Sequence, residues 1–449
     1  MINHFLVLAK RTLLRNSLFS LVNVISLAVG LSVCYYSALF VYNEFNYEAV
    51  YSKSERIVRL TMHIKSNRYD MKWARQDRNY MNALPSEIPE IKNLVRFQNY
   101  YPRNVVIGDN AFKVNHGYST DANVFNVFDF LLIEGNPGKA LEKPNSVVLS
   151  ESTARKLFGN NTAYGETIAI VNDTGTRKEV YQVTGIMEDV PSNTHLPVNM
   201  LTSFSGPEER IGWAYTYLLL QPRVDYKQVQ KKINQYVNRK GGEDAAIASF
   251  PLQPIESIHL NSSLAREIQP NSSKSRVLLI GIAGLIILIL CIINFLNLTT
   301  AQSLGKVQEM GIRKVMGATR KNLIGYFFTE SLMLCLLVGV LGLVTIIILS
   351  SEFKLFNSIA VPLQKLWPLA FMMITGIALA ATYYPALMLS SKNILVAMKS
   401  KEGGMRGKQL VKNGLVAFQL IICVMLVSAA LITRNQYNYL VSKDLGINY

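Results

Sequence analysis

The chain has 449 residues, about three times the usual length of one domain, and is therefore expected to fold as more than one region. Half of its residues are hydrophobic and only 17% are charged, against about 25% in a soluble domain. With a mean hydropathy of +0.19, part of its apolar surface is expected to face lipid. This composition excludes a disordered chain, and four cysteines are too few for a small disulfide scaffold.

The formal net charge of +16 is concentrated in three short segments. Residues 1–16, 303–323 and 390–412 hold 14 basic and 2 acidic residues, whereas residues 43–276 hold 28 basic and 25 acidic ones. Basic segments beside long apolar runs are typical of the cytoplasmic loops of a membrane protein. The charge therefore gives no support to nucleic-acid binding, and no nucleic-acid partner is predicted.

Five apolar runs match the roughly 20 residues that cross a bilayer. They predict an integral membrane α-helical protein with spans at 18–42, 277–300, 324–350, 366–389 and 413–433. Lys10, Arg11 and Arg15 place the N-terminal segment 1–17 in the cytoplasm. Five crossings then put 301–323 and 390–412 inside, and 43–276, 351–365 and 434–449 outside, in agreement with the charge distribution.

The first apolar run has a second interpretation as a cleaved signal peptide. Its uncharged stretch from Asn16 to Asn43 is much longer than the apolar core of a signal peptide, about 7–15 residues. No small-x-small cleavage site precedes Asn43, so an uncleaved signal anchor is favoured. The cysteines all lie in predicted spans, where they behave as small apolar residues: Cys34, Cys291, Cys335 and Cys423.

The segment 43–276 predicts a large extracytoplasmic α+β domain between the first two membrane helices. β-rich residues at 56–64, and paired runs around the turns 108–110 and 172–175, indicate strands and hairpins. Helical patterns at 150–158 and 225–240 begin after Ser150 and Asp225, which are good N-caps. The irregular order of strands and helices argues against a doubly wound parallel sheet.

Motifs for chemistry are missing from the sequence. Gly138-Lys139 and Gly407-Lys408 lack the rest of a phosphate-binding loop, so the chain is not expected to hydrolyse ATP. The histidines show no H-E-x-x-H spacing, and no G-x-S-x-G elbow occurs. We predict no catalytic residue, metal site or cofactor, although a triad assembled from distant residues stays open.

The segment 303–323, SLGKVQEMGIRKVMGATRKNL, mixes apolar and charged residues at helical spacing. This pattern predicts a short amphipathic helix interrupted at Gly317, followed by a new start near Thr319. Such a helix either lies in the lipid headgroups or docks on a partner protein. Gly311 favours docking slightly, because glycine is a poor helix residue unless another surface approaches closely.

Several segments carry a resemblance to a known family. EMGIRKVMGAT at 309–319, Glu330-Ser331-Leu332 and Tyr384-Pro385-Ala386 are similar to the permease domain of FtsX/MacB-type ABC transporter permeases. SVVLSESTARKLFGN at 146–160 and YQVTGIMEDVPSNTHL at 181–196 resemble the MacB-like periplasmic core domain of Bacteroidetes-type permeases. The sequence departs from the family pattern before Glu309, where a basic position is replaced, and at Ile394, where proline is usual.

The resemblance implies a permease subunit, not an enzyme, that couples ATP hydrolysis by a separate ATP-binding subunit to movements of the periplasmic domain for export or efflux. It implies a coupling loop whose docking positions are Glu309, Gly311, Arg313, Lys314, Gly317 and Ala318. Asn294 and Asn297 share one helical face; near the cytoplasmic end of the span they are expected to meet water, with hydrogen bonding to a neighbouring helix as the alternative. Alternative functions are regulation of a cell-wall hydrolase or extraction of lipoproteins.

The family also implies a multi-pass protein of the inner membrane, in contact with lipid, with a periplasmic adaptor as a further partner. The basic approach to the fifth span repeats that of the first span, and the family includes chains with two permease copies. We therefore expect the fifth span and the segment 434–449 to open a second copy, which a second permease half would complete. The alternative is a five-span protein that forms a homodimer.

Overall fold

The computed structural model describes residues 17–99, 103–171, 178–204, 212–242, 247–305, 312, 316–317, 319–352, 376 and 406–443. They divide into two compact units. The outer domain comprises residues 39–280, together with 354–361. The membrane unit comprises residues 1–38, 281–353 and 362–449.

The described helices are α1 Ser17–Phe45, α2 Leu84–Glu87, α3 Val124–Val127, α4 Glu151–Phe158, α5 Tyr226–Lys240, α6 Ile258–Asn261, α7 Lys274–Gly305, α8 Arg320–Glu352 and α9 Arg406–Ser442. Short 3-10 helices lie at Ser54–Arg56, Asn79–Ala83 and Ile255–Ser257. The strands are β1 Ile57–Leu60, β2 Met62–Lys65, β3 Asp70–Trp73, β4 Ile91–Asn99, β5 Arg103–Ile107, β6 Asn110–Val114, β7 Gly117–Thr120, β8 Leu132–Gly135, β9 Ser146–Ser150, β10 Thr167–Val171, β11 Lys178–Met187, β12 Met200–Ser203, β13 Tyr215–Leu220, β14 Ala248–Ser249 and β15 Leu252–Pro254.

Three of the described helices are long and apolar enough to cross a membrane: Ser20–Phe45 in α1, Lys274–Leu298 in α7 and Val416–Ser442 in α9. They coincide with the predicted first, second and fifth spans. The predicted third span lies in α8, whose apolar segment Phe328–Gly342 is shorter. The predicted fourth span, 366–389, lies almost wholly outside the described residues.

Helix α9 is longer than the predicted span 413–433 at both ends. It begins at Arg406 within the predicted linker and ends at Ser442 within the predicted outside tail. A helix satisfies its own backbone hydrogen bonds, so it can continue through polar residues on either side of an apolar stretch. The residues after the span therefore continue as helix, although hydropathy alone places the boundary at the first charge.

Most strands of the outer domain join one mixed sheet. Within the described residues the order is β15-β1-β13-β4-β7-β12-β9-β11-β10-β5-β6, with β8 paired to β11. Two neighbouring pairs, β7 with β12 and β9 with β11, are parallel, and the others are antiparallel. A second sheet has the order β14-β2-β3. The predicted α+β class is confirmed, because strands and helices alternate irregularly around mostly antiparallel pairs.

The predicted strand at 56–64 is divided between the two sheets. It forms β1 in the large sheet and β2 in the small one, and the sheets change at Thr61. Thr61 donates its backbone N–H to the carbonyl of Pro251 at 3.0 Å. A continuous β-rich pattern could not show this change of partner, because both strands have the same local composition.

The local predictions for hairpins and helix starts are confirmed. Strands β5 and β6 form an antiparallel hairpin, as do β10 and β11, whose connecting residues 172–177 lie outside the described part. The Ser150 hydroxyl accepts from the backbone N–H of Thr153 and caps α4. The Asp225 carboxylate accepts from the N–H of Lys227 and caps α5. The caps join residues two or three positions apart, and each hairpin pairs strands on either side of one turn. Local patterns in the sequence therefore predict both.

Strand β13 shows how both faces of the sheet are covered. Tyr215, Tyr217 and Leu219 pack into one hydrophobic cluster, whereas Leu218 and Leu220 pack into another on the opposite face. Helix α5 covers the second face with Val229, Ile233, Tyr236 and Val237. The first face, which carries Tyr217, holds the site described next.

Candidate functional site

The candidate site lies where the C-terminal turn of α1 enters the outer domain. Residues 39–45 of this helix belong to the same compact unit as the sheet. The helix is followed by a turn segment, 46–50, before Tyr51 and the first strand. We call residues 44–51 and the groups that they bind the junction.

The first contact of the junction joins α1 to the region before α7. Glu44, in the last turn of α1, lies 2.9 Å from Nε2 of His259. The Tyr47 ring stacks on the same imidazole, with ring centroids 3.5 Å apart and an interplanar angle of 7°. His259 in turn accepts, at its carbonyl, the backbone N–H of Ser272, two residues before α7. The exit of α1 and the approach to α7 therefore share one histidine.

Burial at this contact changes the acidity of Tyr47. Burial, with the nearby carboxylates of Glu48 and Glu44, raises the pKa of Tyr47 to about 12. The phenol is consequently neutral at physiological pH and donates to the carbonyl of Ser192 at 3.3 Å. This bond connects the junction to residues 192–196.

The second contact of the junction is centred on Glu48. Its side chain is 0% exposed, and its backbone has a φ of +68°, which is uncommon for a residue other than glycine. The carboxylate accepts from the backbone N–H of His195 at 2.5 Å, from Nδ1 of His195 at 2.8 Å and from the Thr194 hydroxyl at 2.8 Å. Three donors thus compensate the burial of one carboxylate.

His195 links Glu48 to the sheet. A carboxylate only accepts hydrogen bonds, so Nδ1 carries the proton, and Nε2 faces the Tyr217 hydroxyl of β13 at 2.6 Å. Burial raises the pKa of Tyr217 well above its usual value, although the nearby Arg59 opposes that change. The Tyr217 phenol is therefore neutral and suited to a hydrogen bond rather than to nucleophilic attack.

Carboxylate, imidazole and hydroxyl in series are also the groups of a hydrolase triad. Here Glu48 and Tyr217 are 0% exposed and His195 is 2% exposed, so a substrate has no access to them. The arrangement is instead a buried structural connection between the exit of α1 and the sheet. Within the described part of the chain, no group of three or more His, Cys, Asp or Glu side chains could hold a metal ion.

Most of the predicted coupling residues lie outside the described residues: Glu309, Gly311, Arg313, Lys314 and Ala318. Gly317 is described and has a φ of +92°, which suits the predicted helix interruption, since glycine adopts positive φ without strain. Its neighbours Ile312 and Met316 are 62% and 82% exposed. The N–H of Met316 donates to the carbonyl of Ile312 at 2.9 Å.

The predicted polar residues of the membrane unit lie on α7. Nδ2 of Asn294 donates to the Ser26 hydroxyl of α1 at 3.4 Å, so Asn294 contacts a neighbouring helix. Asn297 is half-buried one turn further along. Helices α1, α7 and α8 pack through a shared apolar cluster that consists of Val24, Leu27, Ala28, Phe295, Leu334, Cys335 and Val338.

Sequence reasoning did not find the junction residues. No spacing or motif in the sequence links His195 or His259 to Glu44 or Glu48. The one available signal was that His195 lies in the segment 181–196 that carries the family resemblance. Nothing in the sequence paired it with a residue 147 positions earlier.

Comparison with known proteins agrees with this architecture. Residues 20–236 match the family model of the MacB-like periplasmic core domain, and residues 281–394 match the FtsX-like permease C-terminal domain. The chain belongs to the FtsX/MacB-type permeases of ABC transporters, as its sequence motifs predicted.

Two curated relatives are similar over part of their length. The uncharacterized ABC transporter permease YknZ of Bacillus subtilis is 27% identical over 200 residues, which cover 44% of this chain and 46% of YknZ. The macrolide export ATP-binding/permease protein MacB of Aggregatibacter actinomycetemcomitans is 22% identical over 286 residues, which cover 60% of this chain and 41% of MacB. The chain thus matches less than half the length of each relative.

A solved structure, the periplasmic region of MacB from Actinobacillus actinomycetemcomitans, matches 46% of this chain and 91% of that chain. Its sequence identity is 16% and its TM-score is 0.34. The family and the apolar helices together make the chain a membrane protein with a large extracytoplasmic domain.

Proposed function

We propose that the chain is the permease subunit of an ABC transporter that works by mechanotransmission. A separate ATPase binds the cytoplasmic loop 301–323, and its closure on ATP displaces the membrane helices. The outer domain then moves and drives export or efflux of a substrate outside the membrane. This proposal places the protein in the inner membrane with five spans and the orientation predicted by its basic segments.

The observation that carries the proposal is the course of α1. The helix runs without interruption from Ser17 to Phe45, and its last turn belongs to the outer domain. The residues that follow are held by buried polar contacts at Glu48. A rigid helix that ends in a buried attachment is suited to transmitting displacement, whereas a flexible linker at this place would absorb it.

The coupling loop supports the cytoplasmic half of the proposal. Gly317 has a positive φ, which suits a break in a helix, and the exposed side chains of Ile312 and Met316 leave apolar surface available. The family resemblance supports Glu309, Gly311, Arg313, Lys314 and Ala318 as the surrounding docking positions. Acidic and basic side chains would form polar contacts at the rim of an interface with an apolar centre.

The first experiment tests coupling. The full chain is purified in lipid nanodiscs with the ATPase that copurifies with it, and binding and ATP hydrolysis are measured. We expect Arg313→Glu to weaken ATPase binding about tenfold, since one charged interface contact is reversed. Arg239→Glu, the same charge change on the exposed side of α5 in the outer domain, serves as the control. Equal binding by both variants would contradict docking through this loop.

A second experiment tests orientation. Single cysteines replace Asp109 in the β5–β6 turn and Lys401 in the predicted cytoplasmic linker, in a background without the native cysteines. A membrane-impermeant maleimide is expected to label position 109 in intact cells with a permeabilised outer membrane, and to label position 401 only after the inner membrane is opened. Labelling of position 401 in intact cells would refute the five-span orientation.

A further inference from the structure

The polar series at Glu48 continues beyond Tyr217. Arg59 of β1 stands directly opposite Tyr217 of β13 in the antiparallel register, and its guanidinium interacts with the Tyr217 hydroxyl. Directly opposed residues of an antiparallel pair project on the same face of a sheet. The hydroxyl of Tyr217 therefore lies between the imidazole of His195 and the guanidinium of Arg59.

Arg59 then carries the series to Glu267. Nη1 of Arg59 donates to Oε2 of Glu267 at 2.6 Å, and Nη2 donates to Oε1 at 2.8 Å. Nη2 also donates to Oε1 of Gln253 at 2.7 Å. The Arg59 side chain is 0% exposed, so this two-pronged ion pair is buried at its basic end. We call the series Glu48, His195, Tyr217, Arg59 and Glu267 the polar bridge.

The two ends of the polar bridge lie close in the chain to the helices α1 and α7. Glu48 follows the end of α1 at Phe45 by three residues, and Glu267 precedes the start of α7 at Lys274 by seven. Between them the bridge crosses β13 and β1, which are adjacent strands near one edge of the large sheet. The two chain segments that connect the domain to membrane helices therefore meet in one continuous set of buried contacts.

Burying charged groups is costly, and an apolar core of the same volume would often be as stable. Hydrogen-bonded charges differ from apolar side chains because they allow only a narrow range of distances and directions. An apolar contact at this place could slide, whereas the polar bridge fixes one arrangement of both connecting segments relative to the sheet. The arrangement thus favours a positioning role over a stabilising one.

We infer that His195 and Tyr217 are positioning residues of the permease: through the polar bridge they fasten the segments next to α1 and α7 to strands β1 and β13, so that displacement of α1 reaches the sheet. The transmission step rests on the proposed function. The fastening itself is a property of the outer domain and can be tested without nucleotide.

The test uses Tyr217→Phe in the full chain in nanodiscs, with amide hydrogen exchange as the readout. The phenylalanine ring keeps the edge contacts with Phe97 and Phe128, at centroid distances of 5.7 and 5.3 Å, so the core is expected to stay folded. Only the hydroxyl between His195 and Arg59 is lost. Tyr236→Phe is the matched control, because its hydroxyl also makes a hydrogen bond within the domain, a partly buried one to the carbonyl of Tyr80 at 2.8 Å, away from the polar bridge.

Without nucleotide, we expect Tyr217→Phe to accelerate exchange at residues 46–52 and 262–268 at least about threefold, the effect of losing one net hydrogen bond. Exchange in the β5–β6 hairpin is expected to stay unchanged. The control Tyr236→Phe is expected to leave residues 46–52 and 262–268 unchanged. Unaltered exchange of these segments in Tyr217→Phe, or equal acceleration in the control, would overturn the inference.

A second arm uses the copurified ATPase trapped with ATP and vanadate. In the wild type, trapping is expected to change exchange both at residues 46–52 and in β13; in Tyr217→Phe and His195→Gln, the change is expected at 46–52 alone. A change in β13 as large as the wild type's in both variants would overturn the positioning role. A wild type that shows no response to trapping would refute the proposed function, while the first arm still decides the fastening.

Discussion

Helix α5 of the outer domain and helix α9 of the membrane unit differ in where their apolar residues lie. The buried residues of α5, which include Val229, Ile233 and Val237, are three or four apart and form one face against the sheet. In α9 the large apolar residues are exposed on successive positions, such as Leu420, Ile421 and Val424. The apolar residues of α5 therefore pack on one side against the sheet. Those of α9 lie on several sides of the helix, which suits contact with lipid.

The two regions differ in the opposite way for polar groups. The outer domain buries a carboxylate, an imidazole and a guanidinium in the polar bridge, with partners at each step. The described part of the membrane unit joins its helices through milder contacts, such as Asn294 to Ser26 and the Ser32 hydroxyl to the carbonyl of Gly342 at 3.3 Å. A buried charge is tolerated where several hydrogen-bond donors or acceptors surround it. Charges are scarce in membrane helices because lipid tails offer no hydrogen-bond partners.

The largest expected effect comes from removing the carboxylate at the centre of the junction. Glu48→Ala leaves the donors of His195 and Thr194 buried without their acceptor, and we expect the outer domain to lose about 3–5 kcal/mol of stability. Protease resistance of the outer domain in the full chain, measured during a urea titration, reports the loss. The exposed Glu55→Ala, a few residues away, is expected to change stability by less than about 0.5 kcal/mol. Similar curves for both variants would mean that the junction is not a buried attachment.

The second prediction compares an aspartate substitution at one site in the membrane unit with an aspartate substitution at one site in the outer domain. Leu285 of α7 is 52% exposed and Val180 of β11 is 55% exposed, so accessibility alone does not distinguish them. If Leu285 faces lipid, Leu285→Asp costs about 3 kcal/mol of membrane insertion, whereas Val180→Asp is expected to change stability by less than about 0.5 kcal/mol. The amount of chain in carbonate-washed membranes measures the first effect, and thermal unfolding of the outer domain the second. Equal insertion by Leu285→Asp and the wild type would contradict the placement of α7 in the membrane.

The smallest effect concerns a surface ion pair of the outer domain. Hydrogen bonding to Lys232 lowers the pKa of Glu90, so the carboxylate form is preferred in the folded state. The stability that this pair contributes is therefore present above the unfolded pKa, about 4.3, and is lost as the pH falls through the lower folded pKa. We expect Glu90→Gln to be slightly less stable than the wild type at pH 7 and equal to it at pH 3. Thermal unfolding at the two pH values checks this, and a difference that persists at pH 3 would contradict the charge-based cause.

Predictions from the sequence succeeded where the cause was local. Ser150 and Asp225 cap helices through bonds to residues two or three positions away, and the strands beside the turn at 108–110 pair across it. The sequence predictions were incomplete where a strand pairs with a distant part of the chain. The β-rich run at 56–64 forms two strands in two sheets, because its first half pairs with β13 and its second half with β3. The last helix also continues to Ser442, past the hydropathy change at Arg434 that ends the predicted span.

The family resemblance gave the class of protein but not the junction. Its coupling positions in the loop 301–323 stay predictions, with Gly317 as the described member of the set. His195 lay within a recognised segment, yet its role depends on Glu48 and Tyr217, which a motif in one segment does not contain.

The sequence by itself determined three helices long and apolar enough to cross a membrane, the helix caps and the family, because each of these depends on composition or on residues near in the chain. The tertiary structure alone decided that Glu48 meets His195 across 147 positions, and that Arg59 stands opposite Tyr217. Strand order and register bring these residues together, and both are set by the packing of the whole sheet rather than by any local pattern. For that reason the contacts that hold residues 44–51 to the sheet became visible only in the folded chain.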